Sequence, residues 1–225
     1  MKEWYMIMKE TIAHISDNKI IMIVRGVPTD KLVSLGEAVW RGGIRMMECT
    51  YDASSIIPDE VTAERIALLS KHFEGRMTIG AGTVLKKSQI ALTKAAGGQF
   101  IISPDTSEEI IKETKKAGLV SIPGALTPSE ATAAHRAGAD FVKLFPVSQL
   151  GGVSYVKTLC APLSHIRFLA VGGVKAENVR DFIESGACGV GIGLNDTDRE
   201  AIEKGDFDHI ENKCRAFVSM CALKK

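Results

Sequence analysis

Short apolar runs recur along the chain, and each is followed by a stretch with apolar residues at helical spacing. Ile20-Ile-Met-Ile-Val24 is the first run, and Arg25-Gly26 ends it. Further strands are expected over residues 44–49, 77–79, 99–102, 119–122, 141–145, 166–170 and 188–192. Between them the pattern predicts helices near 30–41, 59–72, 86–96, 107–116, 128–137, 153–160 and 176–185, with a last helical pattern over 198–221. Thr29-Asp30 supplies a start signal and Gly42-Gly43 a stop for the first of these helices. Ahead of the first strand, Trp4, Ile7, Met8, Ile12 and Ile15 share one helical face. This predicts an amphipathic lead-in helix that covers part of the core.

The strands are continuously apolar rather than alternating, as in a parallel sheet covered on both sides. Eight strand-then-helix units is the count that closes a barrel, so the expected fold is α/β, a single-domain (β/α)8 TIM barrel over residues 1–225 with an N-terminal lead-in helix. No Pro/Ser-rich linker or composition shift divides the chain. A doubly wound open sheet is the alternative, but no G-x-G-x-x-G follows the first strand.

Composition excludes several classes. Apolar residues are 45% of 225, enough for a large core. The net charge of +1 gives no electrostatic case for nucleic acid or an anionic membrane as partner. The five cysteines are scattered without a C-x-x-C pair, and the five histidines are equally dispersed, so neither a disulfide framework nor a zinc site is expected. Residues 1–17 mix Lys2, Glu3, Lys9 and Glu10 with apolar side chains and resemble no signal peptide, and no run reaches transmembrane length. A cytoplasmic protein is expected.

In a barrel of this kind the chemistry lies at the C-terminal strand ends. The stretch Asp140-Phe-Val-Lys-Leu-Phe-Pro146 carries a lysine, Lys143, inside an apolar strand. Burial lowers a lysine pKa, and a neutral amine attacks carbonyls to form a Schiff base. The alternative is a lysine snorkelling between helices. Glu48 ends the second strand and reads either as a proton shuttle or as an ion-pair partner of Arg45, Arg25 or Lys143. Arg25 suits a carboxylate, or is a surface arginine. Thr83 offers a hydroxyl to a carboxylate, or caps the next helix. Gly172-Gly173 and Gly191-Ile-Gly193 end strands seven and eight, where glycines let backbone amides approach an anion. Glu48 and Asp105 are the obvious strand-end carboxylates and no histidine ends a strand, so no metal is expected.

Gly43-Ile-Arg-Met-Met-Glu-Cys-Thr50, Gly80-Ala-Gly-Thr-Val-Leu85, Phe100-Ile-Ile-Ser-Pro104, Ile122-Pro-Gly124, Phe141-Val-Lys-Leu-Phe-Pro146 and Val171-Gly-Gly-Val174 follow one another along residues 20–194. With these motifs the chain resembles the 2-keto-3-deoxy-6-phosphogluconate / 4-hydroxy-2-oxoglutarate aldolase family, class I pyruvate aldolases on an eightfold barrel. The resemblance implies an aldehyde-lyase of Entner–Doudoroff-type carbohydrate metabolism that needs no cofactor or metal and assembles as a homotrimer. It implies Lys143 as the Schiff-base lysine and Glu48 as the general acid/base. Arg25 and Thr83 are implied as carboxylate binders, Pro104 and Phe145 as pocket wall, and Gly172, Gly173 and Gly193 as the phosphate loop. Two positions depart from the family pattern. Gly193-Leu194 stands where many members have Gly-Ser, and Asp105 stands where glycine is frequent after Ser-Pro. Both weaken the expectation of a phosphorylated substrate and leave the lysine chemistry intact. Within the same fold a phosphosugar isomerase is the alternative, and outside enzymes a barrel that binds keto acids without turnover.

Overall fold

The computed structural model describes residues 2–222, with side chains from residue 5 onward. The expected contribution of Trp4 to the lead-in helix therefore lies outside the described side chains. Eight parallel strands form the barrel: β1 (Ile20–Val24), β2 (Met46–Thr50), β3 (Thr78–Gly82), β4 (Phe100–Ile102), β5 in two pieces (Val120–Ile122 and Gly124–Ala125), β6 (Val142–Leu144), β7 (Phe168–Val171) and β8 (Gly189–Gly193). The hydrogen-bonded order runs from β5 through β4, β3, β2, β1, β8 and β7 to β6. Closure comes at β6 on β5. The N–H of Phe141 donates to the Ser121 carbonyl (3.2 Å), Lys143 to Pro123 (2.8 Å) and Phe145 to Ala125 (3.2 Å). The fifth strand is divided at Pro123, whose carbonyl faces β6 and which has no N–H to donate.

The helices are α1 (Lys2–Asn18), α2 (Leu32–Arg41), α3 (Asp59–His72), α4 (Lys87–Ala95), α5 (Glu108–Lys116), α6 (Pro128–Arg136), α7 (Val153–Cys160), α8 (Val179–Glu184), α9 (Asp196–Lys204) and α10 (Phe207–Cys221). Two hydrophobic layers hold them. Residues such as Ile20, Met22 and Val24 face outward beneath the helices. Ile21, Met46, Phe100 and Phe141 fill the barrel interior, and Met8 and Ile15 of α1 pack against them. The lead-in helix thus plugs the N-terminal end of the barrel and leaves the C-terminal mouth open. No helix among the described residues is long and apolar enough to cross a membrane.

Several boundaries differ from expectation, three of them for a clear local reason. First, β3 runs on to Gly82, so Gly80-Ala-Gly82 is strand rather than loop. Its glycines answer to packing: a Cβ on Gly80 would lie 2.4 Å from the Phe100 ring, and one on Gly82 would lie 2.2 Å from Glu48 Oε1. Second, α8 begins at Val179 instead of about residue 176. Asn178 holds the preceding turn, accepting the Lys175 N–H at 2.8 Å and donating to the Gly173 carbonyl at 3.2 Å. Third, the last helical pattern splits at Gly205, which takes φ +77° between α9 and α10.

Candidate active site

Strand parity decides which side chains enter the barrel. Ile21, Ile23 and Arg25 alternate with outward residues along β1, as do Met46 and Glu48 along β2, and Phe141, Lys143 and Phe145 along β6. The last inward residues, Arg25, Glu48, Lys143 and Phe145, share one cavity of about 420 Å³ at the mouth. Thr83, Pro104, Gly172, Gly173 and Gly193 line it too, so all nine expected site residues come together.

Glu48 is 2% exposed. Its Oε2 is buried and has no hydrogen-bond partner. Arg45, one of the ion-pair partners considered for it, instead donates to the carbonyls of Trp40 (2.7 Å) and Ile44 (3.1 Å). Burial pushes the Glu48 carboxyl up to about 7, against the opposing pull of the Lys143 and Arg25 charges. Desolvation therefore outweighs attraction, as expected when an ion is buried without hydrogen bonds. Lys143 is moved the other way. Burial lowers its pKa; Glu48 partly offsets this, and Arg25 adds to it. Its Nζ stands 4.7 Å from the centre of the Phe145 ring, so one face of the amine is apolar. The two environments bring an acid and a base toward the same pH, the arrangement that proton-transfer chemistry needs. Beneath the pair lies a void of about 10 Å³, lined by inward aliphatic side chains with Glu48 and Lys143.

Thr83 takes φ +57°, a conformation rare for a β-branched residue. It does not cap α4; that helix is capped at Lys86, and the Gln89 side chain accepts the Lys86 N–H at 3.1 Å. Its hydroxyl instead accepts a hydrogen bond from Arg25 Nη2 at 2.9 Å. The strained backbone thus aims the Thr83 hydroxyl at a guanidinium across the mouth.

Asp105 is exposed and does not line the cavity; its backbone carbonyl accepts the Gly124 N–H at 3.1 Å. Leu194 does line it. Gly191, read from the sequence as part of the eighth strand end, lines it as well, whereas sequence reasoning missed Ile23 and Val171 as lining residues. The parity that places Glu48 and Lys143 inward places them inward as well. Among the described residues no three His, Cys, Asp or Glu side chains are grouped to hold a metal ion.

A closed (β/α)8 barrel whose mouth gathers a lysine, an arginine and a buried carboxyl in one cavity has the architecture of a barrel enzyme with its site at the C-terminal strand ends. Residues 11–213 match the KDPG and KHG aldolase family. The chain belongs to this family and is a class I aldolase. It is 33% identical over 189 residues to the 2-dehydro-3-deoxy-phosphogluconate aldolase of Dickeya dadantii, covering 83% of this chain and 84% of that one. It is 33% identical over 193 residues to the KHG/KDPG aldolase of Escherichia coli K12, covering 85% and 86%. The KDPG aldolase of Legionella pneumophila, solved with pyruvate captured as a covalent carbinolamine, superposes with a TM-score of 0.79 at 27% identity, over 92% of this chain and 97% of that one.

Proposed function

We propose that Lys143 forms the Schiff base and Glu48 moves the protons in cleavage of a 4-hydroxy-2-oxo acid. The substrate is a 2-keto-3-deoxy sugar acid of the phosphogluconate type or 4-hydroxy-2-oxoglutarate, and the products are pyruvate and an aldehyde. The observation that carries this reading is the desolvated Lys143 amine, held in the same cavity as a carboxyl raised to about 7. The neutral amine adds to the keto carbon, and Glu48 supplies and removes the protons that convert carbinolamine to iminium and water. The iminium accepts the electron pair of the C3–C4 bond as it breaks. The C4 hydroxyl loses its proton and leaves as the aldehyde carbonyl. Protonation of the enamine at C3 and hydrolysis then release pyruvate and the free lysine.

Arg25, with Thr83 beside it, is assigned the substrate carboxylate. Pro104 and Phe145 wall the reacting carbon, while Gly172, Gly173 and Gly193 border the aldehyde half. Arg25→Ala should raise the KM for the oxo acid by about 10- to 100-fold, the value of one charge-assisted contact, with a smaller change in kcat. Steady-state kinetics on the variant checks this, and an unchanged KM removes the assignment. The whole chain is taken to act as one catalytic domain. The homotrimeric state and the cytoplasmic location are carried over from the family resemblance.

Borohydride reduction in excess pyruvate, followed by peptide mass mapping, tests the central claim. The expected product is a pyruvyl adduct on the peptide containing Lys143. Folded protein that yields no adduct, or an adduct on another lysine, contradicts the proposal.

A further inference from the structure

We infer that Asn195 is a specificity-determining residue of this site: its side-chain NH2 donates a hydrogen bond to an oxygen carried by the aldehyde half of the substrate, in a hydroxyl or a phosphate. This inference rests on the aldolase reading and deepens it at the eighth-strand end of the cavity.

That end of the wall is built by Gly193, the last residue of β8, and by Leu194 and Asn195 after it. Beside Gly193 there is room: no heavy atom lies within 4 Å of the place a Cβ would take. Leu194 packs against the main hydrophobic core and has no side-chain donor. Asn195 is exposed and is the polar side chain of this segment.

One end of the Asn195 amide is already committed. Asn195 is the N-cap of α9, and its side chain accepts the Asp198 N–H at 2.9 Å. Only the oxygen of an amide can accept that N–H, so Oδ1 faces the helix and the NH2 is the free end. Among the described residues, none takes a hydrogen bond from that NH2.

The segment that carries it is braced from behind. The Asp198 carboxyl is 1% exposed and accepts the Asn195 N–H at 2.8 Å. The same carboxyl lies 3.0 Å from His209 Nε2 and is paired with Lys213. Lys213 Nζ in turn donates to the Gly193 carbonyl at 2.9 Å. Helices α9 and α10 thus hold the wall at both Gly193 and Asn195, so the amide does not have to be ordered when substrate enters.

The pyruvyl half of the substrate is committed elsewhere, its carboxylate to Arg25 and Thr83 and its keto carbon to Lys143. The aldehyde half of a 2-keto-3-deoxy sugar acid carries acceptor oxygens beyond C4, as hydroxyl or phosphate ester, and pyruvate has none there. Asn195 therefore acts on the aldehyde and not on imine formation.

Two reactions of the full chain separate these roles. In deuterium oxide a methyl proton of enzyme-bound pyruvate is lost and a solvent deuteron replaces it, which needs no aldehyde. In condensation the enamine C3 bonds to the aldehyde carbon, the aldehyde oxygen takes one proton, and imine hydrolysis frees Lys143. Racemic glyceraldehyde and racemic glyceraldehyde 3-phosphate are the acceptors. Asn195→Asp keeps the capping oxygen and removes the NH2; Asn195→Gly removes the NH2 without adding charge, and glycine is tolerated at an N-cap. In both variants kcat/KM for condensation should fall about 5-fold or more with at least one acceptor, while methyl exchange stays within about twofold of the parent. An equal fall with both aldehydes assigns the bond to a hydroxyl, and a larger fall with the phosphorylated one assigns it to the phosphate. Unchanged condensation in either folded variant overturns the inference. So does exchange that falls in step with condensation, the behaviour of a merely structural cap, or a parent that exchanges pyruvate and uses neither aldehyde. If one variant does not fold, the other decides. A parent with neither methyl exchange nor a borohydride adduct on Lys143 fails the aldolase assignment itself.

Discussion

Lys143→Met removes turnover by on the order of 10⁴- to 10⁶-fold, the range seen when a covalent nucleophile is deleted, and abolishes the borohydride adduct with pyruvate. The variant should still bind the oxo acid, because Arg25 and Thr83 are untouched, so KM or an equilibrium Kd changes far less than kcat. Stability separates this loss from misfolding. The folded-state pKa of Lys143 is held below its unfolded value by burial. The native state therefore binds fewer protons than the unfolded chain, and ionisation of this lysine costs stability at neutral pH. Methionine is apolar and of similar length, so the variant should melt no lower than the parent at pH 7. Lys143→Arg is the companion: it keeps a permanent cation opposite Glu48 but cannot form an imine. Equal loss of activity in both variants assigns the effect to nucleophilicity. Activity within about tenfold of the parent in either one, on a scale where 1.4 kcal/mol is tenfold, contradicts the imine at this position.

Much of this site was legible before any coordinates, because two periodicities carried it. The alternation of short apolar runs with helical stretches fixed the barrel, and the barrel fixed which residues share a mouth. Lys143, Glu48, Arg25 and Thr83 lie on four different strands or strand ends, up to 118 positions apart from first to last. Only closure brings them together. What the chain did not reveal came from contacts between distant positions. Gly80 and Gly82 looked like turn residues, yet their Cβ positions are denied by Phe100 and Glu48. The choices left open for Glu48 and Thr83 needed side-chain geometry. An unpartnered Oε2 rules against a simple ion pair, and a hydrogen bond from Arg25 replaces the helix cap. Asp105 shows the converse. A carboxylate at a strand end suggested repulsion of anions, but its side chain is exposed and does not line the cavity.

Glu48→Gln should lower kcat by about 10²- to 10⁴-fold, the usual contribution of a general acid/base, and erase one limb of the pH profile. With Glu48 raised to about 7, the activity that depends on its carboxylate rises with pH through that value. Glutamine cannot titrate, so the residual activity of the variant should show no inflection near 7. Loss of the Glu48 charge removes one influence that raises the Lys143 pKa. The Lys143 pKa moves further down, and pyruvate trapping in the variant becomes slower without disappearing. The same titration appears in stability. A carboxyl whose folded pKa exceeds its unfolded value contributes stability that is complete below the unfolded pKa and is lost as pH rises through the folded one. From 4.5 to about 7 this is worth about 3 kcal/mol. Glutamine adds a fixed cost for its buried amide, about 1–3 kcal/mol, but that cost does not vary with pH. Denaturant unfolding at pH 4 and pH 8 should therefore show the variant gaining about 3 kcal/mol on the parent across the interval. A variant that keeps the inflection near 7, or parallel stability curves for the two proteins, would place the titrating group elsewhere in the cavity and leave Glu48 without the proton-transfer role.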